Sequence, residues 1–304
     1  MFSKPKNTNV IALKDGLITD SHFDHNIKVK NTTSALNICI KGDTQLNIYY
    51  EYSQALQSDL EIKVKTNSQV GVFIYVSNTD KAEIDINVSL KLEEGCTLNF
   101  VEVQELTQEA SMKIQKRLVL EDRAKIDAFS LFHTGLDLSK STKVTLGTST
   151  SVDLRALMLG KEEQKRSFMC EILHHKNNAK SNVYVKEVLN DQSRGKFDVL
   201  STIDKQTKNS NVKQANHALI LSDKAKIHAK PHMQIFSDDL SASHGCTVGE
   251  LDEEAIFYLM SRGISMQKAK QTLIKAFVED TMTELDPTYL GYVKEVLGEN
   301  YANV

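Results

Sequence analysis

A chain of 304 residues, 40% of them hydrophobic, is long enough to bury a sizeable core as one elongated domain or as two, which excludes the disordered class. Its 37 basic and 40 acidic residues leave a formal charge of -3, so no global positive field points to nucleic acid or to an anionic membrane. No window approaches the roughly 18 apolar residues of a membrane-spanning helix, and Met1 to Asn7 lacks the apolar run of a signal peptide, so a soluble, cytoplasmic protein is expected.

Taken in order, residues 1–34 are polar and weakly patterned and form an N-terminal segment, with a turn at Lys14-Asp15-Gly16. From Ala35 to Ile235 the chain is a succession of short alternating runs, such as Gln45–Tyr50, Leu60–Lys65, Val72–Val76 and Ala82–Val88. Period two with β-branched residues predicts strands. A small residue, a variable one and an apolar one recur at Cys96-Thr97-Leu98, Ala124-Lys125-Ile126, Thr150-Ser151-Val152 and Ala225-Lys226-Ile227, the first steps being 28 and 26 residues. Spacings of roughly 20 to 50 residues with strand content point to a solenoid whose rungs bury their inward faces against their neighbours.

The four cysteines, Cys39, Cys96, Cys170 and Cys246, are widely spread with no CxxC pair, which argues against a zinc ribbon and for reduced thiols. Cys39, Cys96 and Cys170 read as small buried hydrophobes. His174 and His175, adjacent on a strand, face opposite sides and cannot easily share one site. His217, His228 and His232 read as surface imidazoles on a solenoid face.

The pattern changes within Ser237–Ser265. Small residues from Ser241 to Gly249 predict extended or tightly turned backbone, and in an extended strand His244 and Cys246 share a face. Imidazole and thiol are ligands for zinc, copper and iron. Asp252-Glu253-Glu254 ahead of an apolar run predicts a helix with Asp252 as its cap, stopped at Arg262-Gly263. Ser265 caps a second helix to about Val278, in which Ala269, Leu273, Ile274 and Phe277 recur at helical spacing. Asp286-Pro287 opens a third, ended by Gly298. Such short helices must pack on the strands or on another protein.

The run His244-Gly245-x-Thr247-Val248-Gly249, then Leu251-Asp252-Glu253-Glu254, Phe257-Tyr258-Leu259 and Ser261-Arg262-Gly263-Ile264, resembles the C-terminal signature of the SufB/SufD family of iron-sulfur cluster assembly scaffolds. Asn216, Leu219–Ala225, Lys230-Pro231, Ile235 and Asp238-Asp239 fall in the same order, so the resemblance covers at least Val183 to Val278. Gly245 and Asn216 stand where SufB-like chains carry Glu and Cys, which resembles the SufD branch; Ala242 departs from it, a Cys being usual there, and Cys246 follows the His instead.

The resemblance implies a mainly β fold: a right-handed parallel β-helix core over 35–248 and a small C-terminal α-helical domain over 249–304. It implies a non-enzymatic scaffold that pairs with a SufB-like subunit and docks a SufC-like ATPase, with Phe257, Tyr258, Leu259, Arg262 and Phe277 as contact residues. His244 and Cys246 are the candidate ligands for iron or an iron-sulfur cluster, transient and shared with a partner subunit rather than tightly bound by the isolated chain. No phosphate loop, GxSxG elbow or HExxH is present to support independent catalysis. One alternative is a homodimeric scaffold working with SufC alone, against which Asn216 speaks because the acceptor thiol is missing. Another is a β-helix carbohydrate-active enzyme, which needs clustered carboxylates on one face.

Overall fold

The computed structural model describes residues 9–32 and 34–298; the Met1–Asn7 stretch lies outside them. The chain forms β1 (Asn9–Lys14), β2 (Leu17–His22), β3 (Ile27–Asn31), β4 (Ala35–Ile40), β5 (Thr44–Tyr52), β6 (Leu56–Val64), β7 (Gln69–Asn78), β8 (Glu83–Leu92), β9 (Thr97–Glu105) and β10 (Ser111–Leu120). It continues through β11 (Lys125–Phe132), β12 (Asp137–Leu146), β13 (Ser151–Gly160), β14 (Lys165–His174), β15 (Lys180–Leu189), β16 (Arg194–Ile203), β17 (Ser210–Ile220), β18 (Lys226–Ile235) and β19 (Leu240–Gly249). Three helices follow, α1 (Glu253–Ser261), α2 (Met266–Asp280) and α3 (Pro287–Leu297).

From β4 onward, successive strands alternate between two sheets and each pairs in parallel with the strand two further on, so two strands make one turn of a β-solenoid. The repeat read from the sequence is this turn: Leu98, Ile126 and Val152 are register partners on β9, β11 and β13. Ala225-Lys226-Ile227 leads into the other sheet, where Lys226 pairs with Arg194. The interior is a stack of apolar side chains from the inward faces of both sheets. The N-terminal segment, read as weakly patterned, holds three strands within residues 9–31. Asp15 and Gly16 both take left-handed conformations, φ 49° and 82°, and close a β1–β2 hairpin. Its polar composition reflects an edge, since β2 is almost wholly exposed.

The second core lies outside the solenoid. Tyr49, Phe73, Val101, Phe129, Leu131 and Leu157 on the outer face of the ten-stranded sheet pack against Ile274, Val278, Met282, Leu285, Tyr289 and Val293. Strands covered on both faces become continuous apolar runs, which is why Val72-Phe73-Ile74-Tyr75-Val76 is buried throughout. Tyr289 Oη occupies the position a Cβ on Gly71 would take, and the Tyr289 ring stacks on Phe73. Helix α1 is different: it buries no residue and rests mainly on α2.

The two ends of the solenoid differ. At the N-terminal end both sheets finish in short antiparallel strands, β2 and β3, with Lys28 and Lys30 on the outermost strand, devices that blunt an edge. At the C-terminal end β18 and β19 each pair on one side only.

Candidate functional site

Strand β19 carries the signature residues, and its register with β17 fixes their direction. Gln214 pairs with His244 and Asn216 with Cys246. Followed backward, the second of these columns is Asn216, Val185, Ala156, Ser130, Glu102, Ile74 and Ile48, all inside the solenoid. His244 and Cys246 are therefore the last members of two interior columns: they share a face, as their spacing predicts, and the register with β17 makes that face the lumen side. Both are exposed because no further turn covers them. Ser243, Gly245 and Thr247 take the outer face.

A polar chain runs inward from Cys246. Its Sγ lies 3.8 Å from Asn216 Oδ1, and Asn216 Nδ2 donates to Glu187 Oε1 at 2.7 Å. Asn216 and Glu187 are fully buried. Burial pushes the Glu187 carboxyl up to about 8, the Asn216 bond offsetting part of this, so the group is a neutral acid at pH 7. Its Oε2 has no hydrogen-bond partner and stands where a Cβ of Gly195 would be. Partial burial and the nearby Glu187 raise the Cys246 thiol as well. Sequence reading missed Glu187, although it interrupts the apolar parity of Val183, Val185 and Leu189 on an inward face.

A second polar group sits in mid-lumen, sealed from solvent. Glu102 accepts from Lys116 at 2.7 Å, from Lys140, and from Ser130 Oγ at 2.8 Å, all of them buried. Burial opposes ionisation of Glu102, but the two ammonium groups hold its pKa below the carboxylate range, and burial pushes Lys116 down. The pocket around them has room for about one water, about 10 Å³, so the cluster is part of the packing and not a ligand site.

The other candidates separate. His174 is buried in the lumen with Nε2 2.8 Å from Ser181 Oγ, while His175 is not inside with it. His228 and His232 lie on the outward face of β18, in register with Lys196 and Leu200. Cys96 and Cys170 are buried as expected, whereas Cys39 is only half-buried, on an outward face between Lys28 and Lys63 in register, because Ile38 and Ile40 take the inward positions. Among the described residues no three His, Cys, Asp or Glu side chains converge as a metal site. His244 and Cys246 share the lumen-side face of β19 with no third such side chain beside them among the described residues.

On the helices, Asp252 accepts from the amides of Glu254 and Ala255 at 2.9 and 3.2 Å, as its capping role predicts. Phe257 is 73% and Tyr258 58% exposed, and the Arg262 guanidinium lies 5.4 Å from the Tyr258 ring centre. Leu259 is half-buried. Phe277 is set apart from this face: it packs toward the sheet with Lys186 Nζ 4.3 Å from its ring centre. Among the described residues no helix is long and apolar enough to cross a membrane.

The fold is thus a two-sheet β-solenoid with bare edge strands at its C-terminal end, His244 and Cys246 exposed at that end, and an exposed aromatic face on α1. The family model for the SUF system FeS cluster assembly SufBD core domain matches residues 48–277, and the chain belongs to that family. It is 27% identical over 194 residues to the iron-sulfur cluster assembly protein SufD of Bacillus subtilis, covering 63% of this chain and 44% of the relative. To SufD of Escherichia coli it is 29% identical over 164 residues, 54% of this chain and 39% of the relative. The chloroplastic protein ABCI7 of Arabidopsis thaliana is 29% identical over 133 residues, 43% of this chain and 28% of that one. The aligned stretches span less than half the length of these relatives.

Proposed function

We propose that this chain is a SufD-like scaffold subunit of an iron-sulfur cluster assembly complex, without catalytic activity of its own. The observation that carries this reading is the open end. Two edge strands with unpaired backbone groups flank interior columns that end in His244 and Cys246. Strand β19 is ten residues long and carries no Lys, Arg, Asp or Glu, and such an edge invites strand addition, whereas Lys226, Lys230 and Pro231 blunt β18. Ile235, Phe236 and Val248 add exposed apolar surface there. A SufB-like subunit adding strands to β18 and β19 extends both sheets and brings its own side chains against His244 and Cys246. Iron, or a nascent cluster, is then held as cargo by ligands from two chains, which suits transfer better than a closed four-ligand cage.

The SufC-like ATPase docks on the helices, through Phe257, Tyr258 and Leu259 on α1 and Arg262 at its C-cap, while Phe277, the further candidate contact, packs toward the sheet and supports α2. Exposed aromatic side chains beside an arginine are the anchors such an interface uses. Hydrolysis in that partner acts here through its different affinity for two states of the scaffold. The setting is the cytoplasm, where the four free cysteines stay reduced.

Co-expression with SufB-like and SufC-like chains, anaerobic purification and native mass spectrometry test the assembly. The expected result is a three-component complex containing iron, with less iron when His244→Ala is substituted. A stable homodimer that binds the ATPase and carries a stoichiometric cluster without a SufB-like chain would replace this reading by the self-paired scaffold.

A further inference from the structure

Strand β19 is joined to the helices twice. Only Glu250, Leu251 and Asp252 separate it from α1, a connection of roughly 10 Å at full extension. Its outer face is also tied to the last turn of α2 by side chains. His217 Nδ1 lies 2.6 Å from Thr247 Oγ1, and the His217 ring lies 5.4 Å from the Tyr184 ring. Tyr184 Oη donates to Asp280 at 2.9 Å, and Lys186 Nζ reaches both Asp280 at 2.6 Å and the Phe277 carbonyl at 2.9 Å. The path steps across three neighbouring strands, since Lys186 pairs with His217 and His217 with Thr247.

We propose that β19 and the α1–α2 hairpin form one mechanical loop, closed covalently at α1 and by the Thr247–His217–Tyr184–Asp280–Lys186 relay at α2. Whatever seats on α1 then sets the position of the strand that presents His244 and Cys246. Three features favour transmission over local give. The linker is only three residues long, so a displacement of α1 beyond its reach of roughly 10 Å must be passed to β19. Lys186 is almost fully buried, so its pair with Asp280 is one of the few charged contacts between α2 and the sheet that solvent does not weaken from the lysine side. The apolar core that fixes α2 and α3 reaches β17 at Leu219 but includes no residue of β19, which leaves that strand free to follow the relay and the linker. Thr247 and Cys246 are adjacent, so a shift sensed on the outer face moves the thiol on the inner one.

The functional importance of this loop rests on the reading above, but its existence does not, and the test uses the isolated full chain. Amide hydrogen exchange is followed by mass spectrometry in peptides covering 240–249 and 270–281. Asp280→Asn removes the charge partner of Lys186 two strands from β19, and exchange in 240–249 is expected to rise about tenfold. Coupling is reciprocal, so Thr247→Val is expected to speed exchange in 270–281 by a similar factor. Tyr184→Phe, which deletes one hydroxyl, serves if Asp280→Asn does not fold. Faster exchange confined to each substitution's own neighbourhood, in either direction, overturns the proposal. Iron binding and partner assembly enter neither outcome, so failure here leaves the scaffold reading untouched.

Discussion

Replacing Glu187 by Gln should stabilise this protein, and the size of the gain follows from where the carboxyl lies. The ordinary glutamate pKa of 4.5 is raised to about 8 by full burial. Between those values the folded chain keeps a proton that the unfolded chain has released, so the unfolded state binds fewer protons and stability falls as pH rises. At about 1.4 kcal/mol per pH unit, the site costs about 3 kcal/mol by pH 7. Glutamine has the same shape, can still accept from Asn216 through Oε1, and has no proton to lose. Its amide nitrogen faces Gly195 without an acceptor, as the carboxyl oxygen there lacks a partner now, so part of the gain is offset.

Urea denaturation of both proteins at pH 5, 7 and 8 measures the difference. Glu187→Gln is expected to gain about 1–3 kcal/mol at pH 7, more at pH 8, and to approach the parent at pH 5. Everything common to the two chains cancels in that comparison, including titration of other groups. If the difference does not change with pH, Glu187 is ionised in the fold and the assignment of a neutral acid behind Asn216 is wrong.

Further outcomes follow from the same contacts. Glu102→Gln leaves Lys116 and Lys140 facing each other in the sealed lumen and should destabilise the fold by about 3–5 kcal/mol, read by thermal melting, whereas Lys116→Met leaves one ion pair and should cost far less. Gly71→Ala places a methyl where Tyr289 Oη stands and should loosen α3, seen as faster proteolysis of the helical segment and a loss of about 1–3 kcal/mol. Phe257→Asp with Tyr258→Asp should leave the melting temperature unchanged, since α1 buries nothing, yet weaken binding to a SufC-like ATPase at least about tenfold in a titration. His244→Ala should leave folding intact but lower the iron content of the anaerobic complex, and Cys246→Ser should lower it less.

The solenoid was legible in the sequence because its interior is largely periodic: β8 is apolar at every inward position, and β10, β12 and β16 keep the same alternation of burial with only Lys116, Lys140, Thr142, Gly195 and Ser201 breaking the apolar set. The outer cover was less so. Runs such as Val72–Val76 are apolar at every position, and only the structure shows that one parity meets the lumen and the other meets α2 and α3. The same two-sided burial explains Phe277, which helical spacing alone cannot assign to the sheet or to a partner. The N-terminal strands escaped because edge strands carry Lys, Asp and His on faces that nothing covers. His244 and Cys246 could be placed on one face by parity, but that face is the lumen side only through the pairing of Asn216 with Cys246, thirty residues away. Glu187 left a sequence signal, an acid at an inward parity, whose meaning required knowing that Asn216 lies over it.

The asymmetry of the two ends links these parts. Short antiparallel strands finish the first turn, so it needs nothing further. The last turn leaves two edges bare, His244 and Cys246 exposed on the lumen side over the buried Gln214 and Asn216, and a buried acid that glutamine would replace at a gain in stability. Proteins retain such costs where a site needs them. On the proposed reading the costs have one origin, because a strand-adding partner closes the interior, covers His244 and Cys246, and brings charge against Asn216 and Glu187. An acid held neutral until then can release its proton when a cation arrives, keeping the charge of the closed site balanced. On that reading the solenoid is one half of a longer lumen, and the polar chain from Glu187 through Asn216 to Cys246 is the part of it that meets the junction.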